Sequence, residues 1–467
     1  MKSKLLKLIV IAILLTTAFS PIVSSASYEK NILPFNSLIR KNTNENFDMI
    51  IIAPSSYRSS IQPLIKHKNN RGISTNFVSL DDIYTSVLFK QQGRDDQEKI
   101  KYFIKDAIEN WNITYVLFIG SFSQIPVRLC FNNDNYSGFN EPSFVSELYY
   151  ADIYDENMEF SSWDTDGDEI YGEWDGMVAE DRPINLAPDV CLGRLACENE
   201  KEVKHVVRKI IDYENKPADL QWFKNMVVVG GDTYKKFEGY EGEIYNQQAV
   251  DAMQDFNAVK LWGSNEKLKS GWDIVKEINK GCGFWYLTGH GNTQLWVTYN
   301  PEGSPIGKFN VYHTLFLLNK NKLPVCLVGG CHNSRFSVNT YKYLGFLNRL
   351  NWMKECWSWR LVSKPYGGSI ATLGSTGLSW YSAEYDGEGL NWLNVQFFKE
   401  YANDTIILGQ IWKNALNHYL DNFPIDWETP SGGFNSLNAK TVQEWTLLGD
   451  PSLKIGGYSA STQNSLI

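Results

Sequence analysis

Histidine is scarce in this chain of 467 residues, with six in all, and cysteine stops at seven. So few imidazoles weigh against a multi-histidine metal centre. The cysteines, Cys130, Cys191, Cys197, Cys282, Cys326, Cys331 and Cys356, form an odd set at irregular spacing, which excludes a regular disulfide scaffold. No Lys/Arg cluster interrupts a formal net charge of -9, so a general nucleic-acid binder is excluded, because neutralising phosphates needs a basic face. Past the N-terminal segment no stretch is long and apolar enough to cross a bilayer. No internal repeat is present either.

What the chain does have is a large apolar share, 43%, against 21% charged residues, the balance of a well-buried globular protein. Its length exceeds one ordinary core and predicts two domains or tightly packed subdomains. Lys2, Lys4 and Lys7, the apolar run from Leu8 to Phe19, and Ser24-Ser25-Ala26 have the layout of a secretory signal over residues 1–27. A protein that is secreted or held at the cell surface, with no membrane span once the signal is removed, is expected.

Strand and helix patterns alternate along the chain. Strands are expected at 47–54, 75–80, 115–120, 225–231, 258–262, 284–288 and 323–330. Helices are expected at 59–70, 95–111, 198–215, 245–256, 272–279, around Trp357 to Leu361, and at 392–401 and 406–420. This is an α/β pattern with mainly parallel strands, an N-terminal subdomain over 47–215, a second over 224–456, and a flexible tail over 457–467.

Two strands end in reactive side chains. Phe284-Trp285-Tyr286-Leu287-Thr288 runs into Gly289-His290-Gly291, and Val325-Cys326-Leu327-Val328-Gly329-Gly330 runs into Cys331-His332-Asn333-Ser334. Ligands of parallel sheets collect beyond the carboxyl ends of the strands, so His290 and Cys331 are expected side by side at one rim. A thiolate that attacks beside an imidazole that moves protons is nucleophilic catalysis. The flanking glycines open the backbone, and the amides of Gly291 and Cys331 are candidates for an oxyanion hole. Taken separately, a strand-end cysteine is an ordinary small hydrophobe and Gly-His-Gly an ordinary turn.

The region between Glu147 and Leu195 is polar and turn-rich, and its centre reads Asp164-Thr165-Asp166-Gly167-Asp168-Glu169. Alternating carboxylates around a glycine suit Ca²⁺, with Asp164, Asp166, Asp168 and Glu173 as candidate ligands; a solvated acidic turn is the alternative. The spacing departs from an EF-hand.

Thr288-Gly289-His290-Gly291, Gly330-Cys331 with Phe336, Gly374-Ser375-Thr376 with Trp380, Leu448-Gly449-Asp450-Pro451-Ser452-Leu453, and Pro188-Asp189-Val190 through Gly193-Arg194 occur in one order. Together they resemble the gingipain-type cysteine peptidases, distant relatives of the caspases, over most of the chain. The resemblance implies two packed caspase-like three-layer α/β/α subdomains and a cysteine endopeptidase acting on protein or peptide substrates. It implies Cys331 as nucleophile, His290 as general acid/base, and Asp232 as the carboxylate that orients the imidazole. It further implies Glu243 as the acid of a pocket for Arg or Lys, covered by Trp380. Asp232 is shorter than the family's Glu, and His332-Asn333-Ser334 departs from the glycine-containing sequence usual after the nucleophile. Solvent-facing acids before a helix are the alternative for Glu241 and Glu243. Two other functions stand beside the peptidase: a non-catalytic, Ca²⁺-stabilised binding protein on the same scaffold, and a Zn²⁺ site from His290, Cys331 and His332.

Overall fold

The computed structural model describes residues 46–134, 141–216, 220–234, 239–338, 355–382 and 387–458. The leader expected at 1–27, and residues 459–467 of the expected tail, lie outside them.

The strands, in chain order, are β1 (Met49–Ala53), β2 (Thr75–Ser79), β3 (Tyr115–Ile119), β4 (Arg128–Cys130), β5 (Phe144–Ser146), β6 (Cys191–Leu195), β7 (Asn225–Gly230) and β8 (Asn257–Trp262). There follow β9 (Phe284–Thr288), β10 (His290–Asn292), β11 (Leu295–Tyr299), β12 (Pro305–Asn310), β13 (Val325–Gly329), β14 (Ala371–Ser375) and β15 (Trp445–Leu448). Ten of them form one sheet in the order β2-β1-β3-β6-β15-β14-β13-β9-β7-β8. Every neighbouring pair is parallel except β14 with β15. The sheet is two parallel five-strand blocks set antiparallel to each other, β2-β1-β3-β6-β15 and β14-β13-β9-β7-β8, and β15, from the end of the chain, lies in the block that otherwise comes from the N-terminal half. The last strand, β15, returns to lie beside β6 and makes the join, where Leu448 pairs with Arg194 and the Gly449 N–H donates to the Arg194 carbonyl at 3.0 Å.

Both faces of the sheet are covered, and strand alternation assigns the side chains. Val228, Phe284, Tyr286, Val325 and Leu327 enter the larger core. Their sequence neighbours Val227, Val229, Trp285, Leu287, Cys326 and Val328 enter a second core on the opposite face. Three layers result. All seven cysteines are unpaired; six are buried, and Cys331 alone is half-exposed.

Most expected elements are present, with ends moved by a residue or two. The helix expected at 245–256 spans Glu241–Ala252, starting where the Gly242 N–H bonds to the Gly231 carbonyl at 3.1 Å. Two features carry no periodic signal. The helix Phe434–Glu444 buries every residue from Ser436 onward, which erases its amphipathic pattern. The small sheet β10-β11-β12 begins at the Gly-His-Gly stretch and contributes Tyr299, whose backbone exchanges both hydrogen bonds with Asp232.

Candidate active site

Strands β9 and β13 are adjacent and in register, with Thr288 opposite Gly329. His290 and Cys331 each follow two residues later, so both leave the sheet at the same level. A Cβ on Gly330 would stand 3.1 Å from the Gly291 nitrogen and 2.4 Å from the Asn333 Oδ1, so the two turns touch through bare backbone. Asn333, buried, ties them by donating from Nδ2 to the carbonyls of Asn292 (2.8 Å) and Leu295 (3.0 Å).

The half-exposed His290 ring sits edge-on to Tyr234 and Tyr299, each at 5.8 Å. Its Nε2 lies 2.8 Å from the Thr233 carbonyl oxygen. A carbonyl can only accept, so Nε2 carries the proton and Nδ1 is the basic nitrogen of the neutral ring. The Cys331 thiol donates to the Ser379 carbonyl at 3.4 Å. Burial pushes the thiol up from its usual range, and its bonds at Ser379 offset part of that shift. At neutral pH the resting group is therefore the thiol.

The partner expected for the imidazole, the Asp232 carboxylate, is not the group at Nε2. Asp232 is buried and its backbone is held by Tyr299, which brings the next carbonyl, that of Thr233, to the ring. The loop is itself secured by Glu241, whose Oε1 accepts from the N–H groups of Thr233 (3.0 Å) and Tyr234. Glu243 points elsewhere. Its carboxylate accepts from the Ser264 N–H at 2.9 Å and hydroxyl at 2.5 Å, beyond the end of edge strand β8. Two residues on a helix diverge by about 200° in direction, so Glu241 and Glu243 serve opposite sides. Both are buried, which overturns the solvent-facing alternative for them. Trp380 donates its indole N–H to the Leu437 carbonyl at 2.9 Å and packs on Phe434.

After Cys331 the chain turns through His332 at φ 56°. His332 Nε2 lies 2.6 Å from Glu141 Oε1, whose other oxygen accepts from the Leu378 N–H (2.5 Å) and from Lys440 (2.9 Å). Burial opposes the charge on Glu141, but His332 and Lys440 outweigh it and hold the carboxyl down at about 2. Nearby Glu444 is fully enclosed, and burial pushes it up to about 8 despite Lys440. His332 and His290 thus face different partners, and their ring nitrogens do not converge with the Cys331 sulfur in a metal-capable group among the described residues. Glu141 joins the turn after Cys331 to the 377–380 loop from nearly two hundred positions away, and no local sequence signal marks it.

In the acidic loop, oxygens of Asp164, Asp166 and Asp168 lie within 4.8 Å of one another, the one such metal-capable group among the described residues. Asp164 also organises the loop. It accepts from the N–H groups of Gly167 (2.8 Å), Asp168 (3.1 Å) and Glu169 (3.2 Å), and pairs with Arg94. Glu173 is not in that group, yet burial and then the charges of Asp168, Glu180, Asp181 and Asp166 push it up to about 7. Buried Asp181, which sequence patterning did not single out, accepts from the Glu173 N–H at 2.9 Å.

Residues 42–456 match the family model described as Peptidase family C25. Among curated proteins, the chain is 23% identical over 417 residues to Gingipain R2 of Porphyromonas gingivalis, covering 88% of this chain and 46% of that protein. It is 22% identical over 417 residues to Gingipain R1 of the same organism, covering 88% and 34%. The chain therefore spans less than half the length of these relatives. Among solved structures, the Arg-specific cysteine proteinase gingipain R aligns with a TM-score of 0.60 at 19% identity, over 89% of this chain and 79% of that one. The complex of the Porphyromonas gingivalis RgpB pro- and mature domains gives 0.58 at 20%, over 87% and 79%. These likenesses establish the shared fold.

Proposed function

This chain belongs to peptidase family C25, and on that premise we propose that it is an exported cysteine endopeptidase whose nucleophile is Cys331 and whose general acid/base is His290. The observation that carries this is the shared level of the two residues beyond the paired ends of β9 and β13, with Gly291 and Gly330 in backbone contact between them. Substrate binding brings the scissile carbonyl to the thiol. Nδ1 of His290 takes the S–H proton, sulfur attacks the carbonyl carbon, and the N–H groups of Gly291 and Cys331 receive the oxyanion. His290 returns the proton to the leaving amine. Water, deprotonated by the same nitrogen, then resolves the thioester to acid and free thiol.

For the residue before the cleaved bond we propose Arg or Lys. The relative solved as an Arg-specific proteinase supports it, as does the net charge of -9. Glu243 is the acid assigned to that side chain. Its bonds from Ser264 leave lone pairs on a carboxylate that can accept about four, so a guanidinium can join without displacing them. Trp380 borders the pocket. Export is supported by Lys2, Lys4, Lys7 and the apolar run that follows. Ca²⁺ is assigned to Asp164, Asp166, Asp168 and Glu173, supported by the convergence of the first three and by loop N–H groups that fix Asp164. The ion would offset the mutual repulsion of the loop's carboxylates.

The test is hydrolysis of a positional-scanning peptide library by the unaltered chain and by Cys331→Ala, with Glu243→Gln in parallel. Turnover lost in Cys331→Ala, with Arg or Lys selectivity lost in Glu243→Gln, is the expected result. Equal turnover in Cys331→Ala would refute the nucleophile, and unchanged selectivity in Glu243→Gln would refute the pocket. A folded chain that hydrolyses nothing would favour the binding-protein alternative.

A further inference from the structure

The Thr233 carbonyl that accepts from His290 Nε2 and the Tyr234 N–H that donates to Glu241 are the two ends of one peptide group. The Thr233 N–H reaches the same Glu241 oxygen at 3.0 Å. Glu241 is 4% exposed, and its second oxygen has no hydrogen-bond partner among the described residues. Glycine at 242 permits this. A Cβ there would stand 2.8 Å from the Gly231 carbonyl oxygen and 3.1 Å from Thr233 Oγ1, so only a bare backbone lets the helix start close on the loop.

We infer that Glu241 is the positioning carboxylate of His290, acting through the Thr233–Tyr234 peptide group rather than by touching the ring. A carboxylate that accepts a peptide N–H draws electron density towards the carbonyl of that peptide. The carbonyl becomes a stronger acceptor, and chains of hydrogen bonds reinforce one another in this way in low-dielectric surroundings. The imidazolium is thereby favoured over the imidazole, the effect a carboxylate in direct contact would have. It also fixes the tautomer, because the ring proton must stay on Nε2 and Nδ1 must face the reacting groups. Titratable groups packed about the pair are Tyr234 and Tyr299 at the ring, Cys331 beside Tyr234, and Asp232, Tyr234 and Tyr381 at Glu241. Glu241 is hydrogen-bonded to the same peptide group that the imidazole contacts.

The inference depends on the peptidase assignment only for its effect on rate, so two readouts separate them. The first is an NMR titration of the ¹⁵N-histidine-labelled full chain and of Glu241→Gln, with the His290 signal assigned by its loss in His290→Ala. Glutamine keeps an acceptor oxygen for both N–H groups and removes the charge. His290 is expected to lose its proton about one pH unit lower in Glu241→Gln, a roughly tenfold change in its ionisation constant. An unchanged midpoint, or a drop in Asp232→Asn without one in Glu241→Gln, overturns the proposal. Should Glu241→Gln not fold, the unaltered chain still decides: the Tyr234 amide resonance must move with the His290 titration, and a stationary amide overturns the proposal. The second readout is the pH profile of kcat/KM, whose acid limb should move down with the His290 midpoint, because His290 acts as a base only once it is neutral. A chain that hydrolyses no peptide yet shows the NMR shift removes the peptidase assignment and leaves the positioning role standing.

Discussion

At the scale of single residues, the thiol and the imidazole are each engaged with a backbone carbonyl, Ser379 for one and Thr233 for the other. A protonated, hydrogen-bonded thiol is a poor nucleophile until a base takes its proton. Alkylation of Cys331 by iodoacetamide in the unliganded protein should therefore follow a midpoint above that of a free thiol, about 8.5. A rate already maximal at pH 7 would contradict the thiol resting state. Glu141 and Glu444 sit one layer behind and carry opposite pH dependences. The Glu141 carboxyl is held at about 2, below its ordinary 4.5, so its contribution to stability is present above that ordinary value and is lost as pH falls through 2. Glu444 is raised to about 8, so its contribution is present below 4.5 and declines as pH rises through 8. Glu141→Gln should cost about 3 kcal/mol at pH 7, as expected for breaking a buried charge pair, and flatten the acid limb of a stability–pH profile. Glu444→Gln should flatten the decline between pH 4.5 and 8. Chemical denaturation from about pH 2 to about pH 8 measures both.

At the scale of elements, the acidic loop shows how a segment's own backbone decides which side chains are buried and which reach solvent. Asp164 already accepts three N–H groups and an arginine, whereas Asp166 and Asp168 are exposed, with oxygens close to it. The exposed pair should thus govern ion binding and the buried one the loop itself. Removing Ca²⁺ with a chelator should lower Tm by several degrees, as mass action predicts for a ligand of the native state, and Asp166→Asn with Asp168→Asn should abolish that response. Asp164→Asn should lower Tm in the presence of chelator as well. Calorimetry with and without Ca²⁺ distinguishes the two, and no chelator effect in the unaltered chain would exclude a structural ion.

At the scale of the whole molecule, the join between the two strand blocks carries the fold. Lys68 is fully buried between Glu214 at 2.9 Å and Asp450 at 2.8 Å, linking the helices Arg58–Asn70 and Glu200–Asn215 to the turn after β15. Arg194 on β6 is equally enclosed and grips Glu147 with two bonds, at 2.6 and 2.9 Å. Between them, a Cβ on Gly193 would meet the Gly449 carbonyl oxygen at 2.4 Å, a backbone atom that cannot swing aside. Gly193→Ala should therefore destabilise by about 1–3 kcal/mol through overpacking, and Asp450→Asn by about 3–5 kcal/mol through a broken buried charge pair. Urea denaturation reads both. A neutral Gly193→Ala would mean that β6 and β15 part without cost.

Sequence alone determined the α/β class, the strands that end at His290 and Cys331, and the motif order shared with the family, because apolar periodicity and glycine punctuation are local properties of the chain. Tertiary structure decided what those residues touch. The resemblance implies Asp232 and Glu243, whereas the Tyr299 pairing brings Thr233 to the imidazole, and the helical turn between Glu241 and Glu243 sends one acid to the His290 loop and the other to Ser264. Glu141 reaches His332 only because the chain folds distant segments onto one rim. Hydrogen-bond partners separated by tens to hundreds of residues leave no periodic or spacing signal, since the packing that unites them exists only once the whole sheet has assembled.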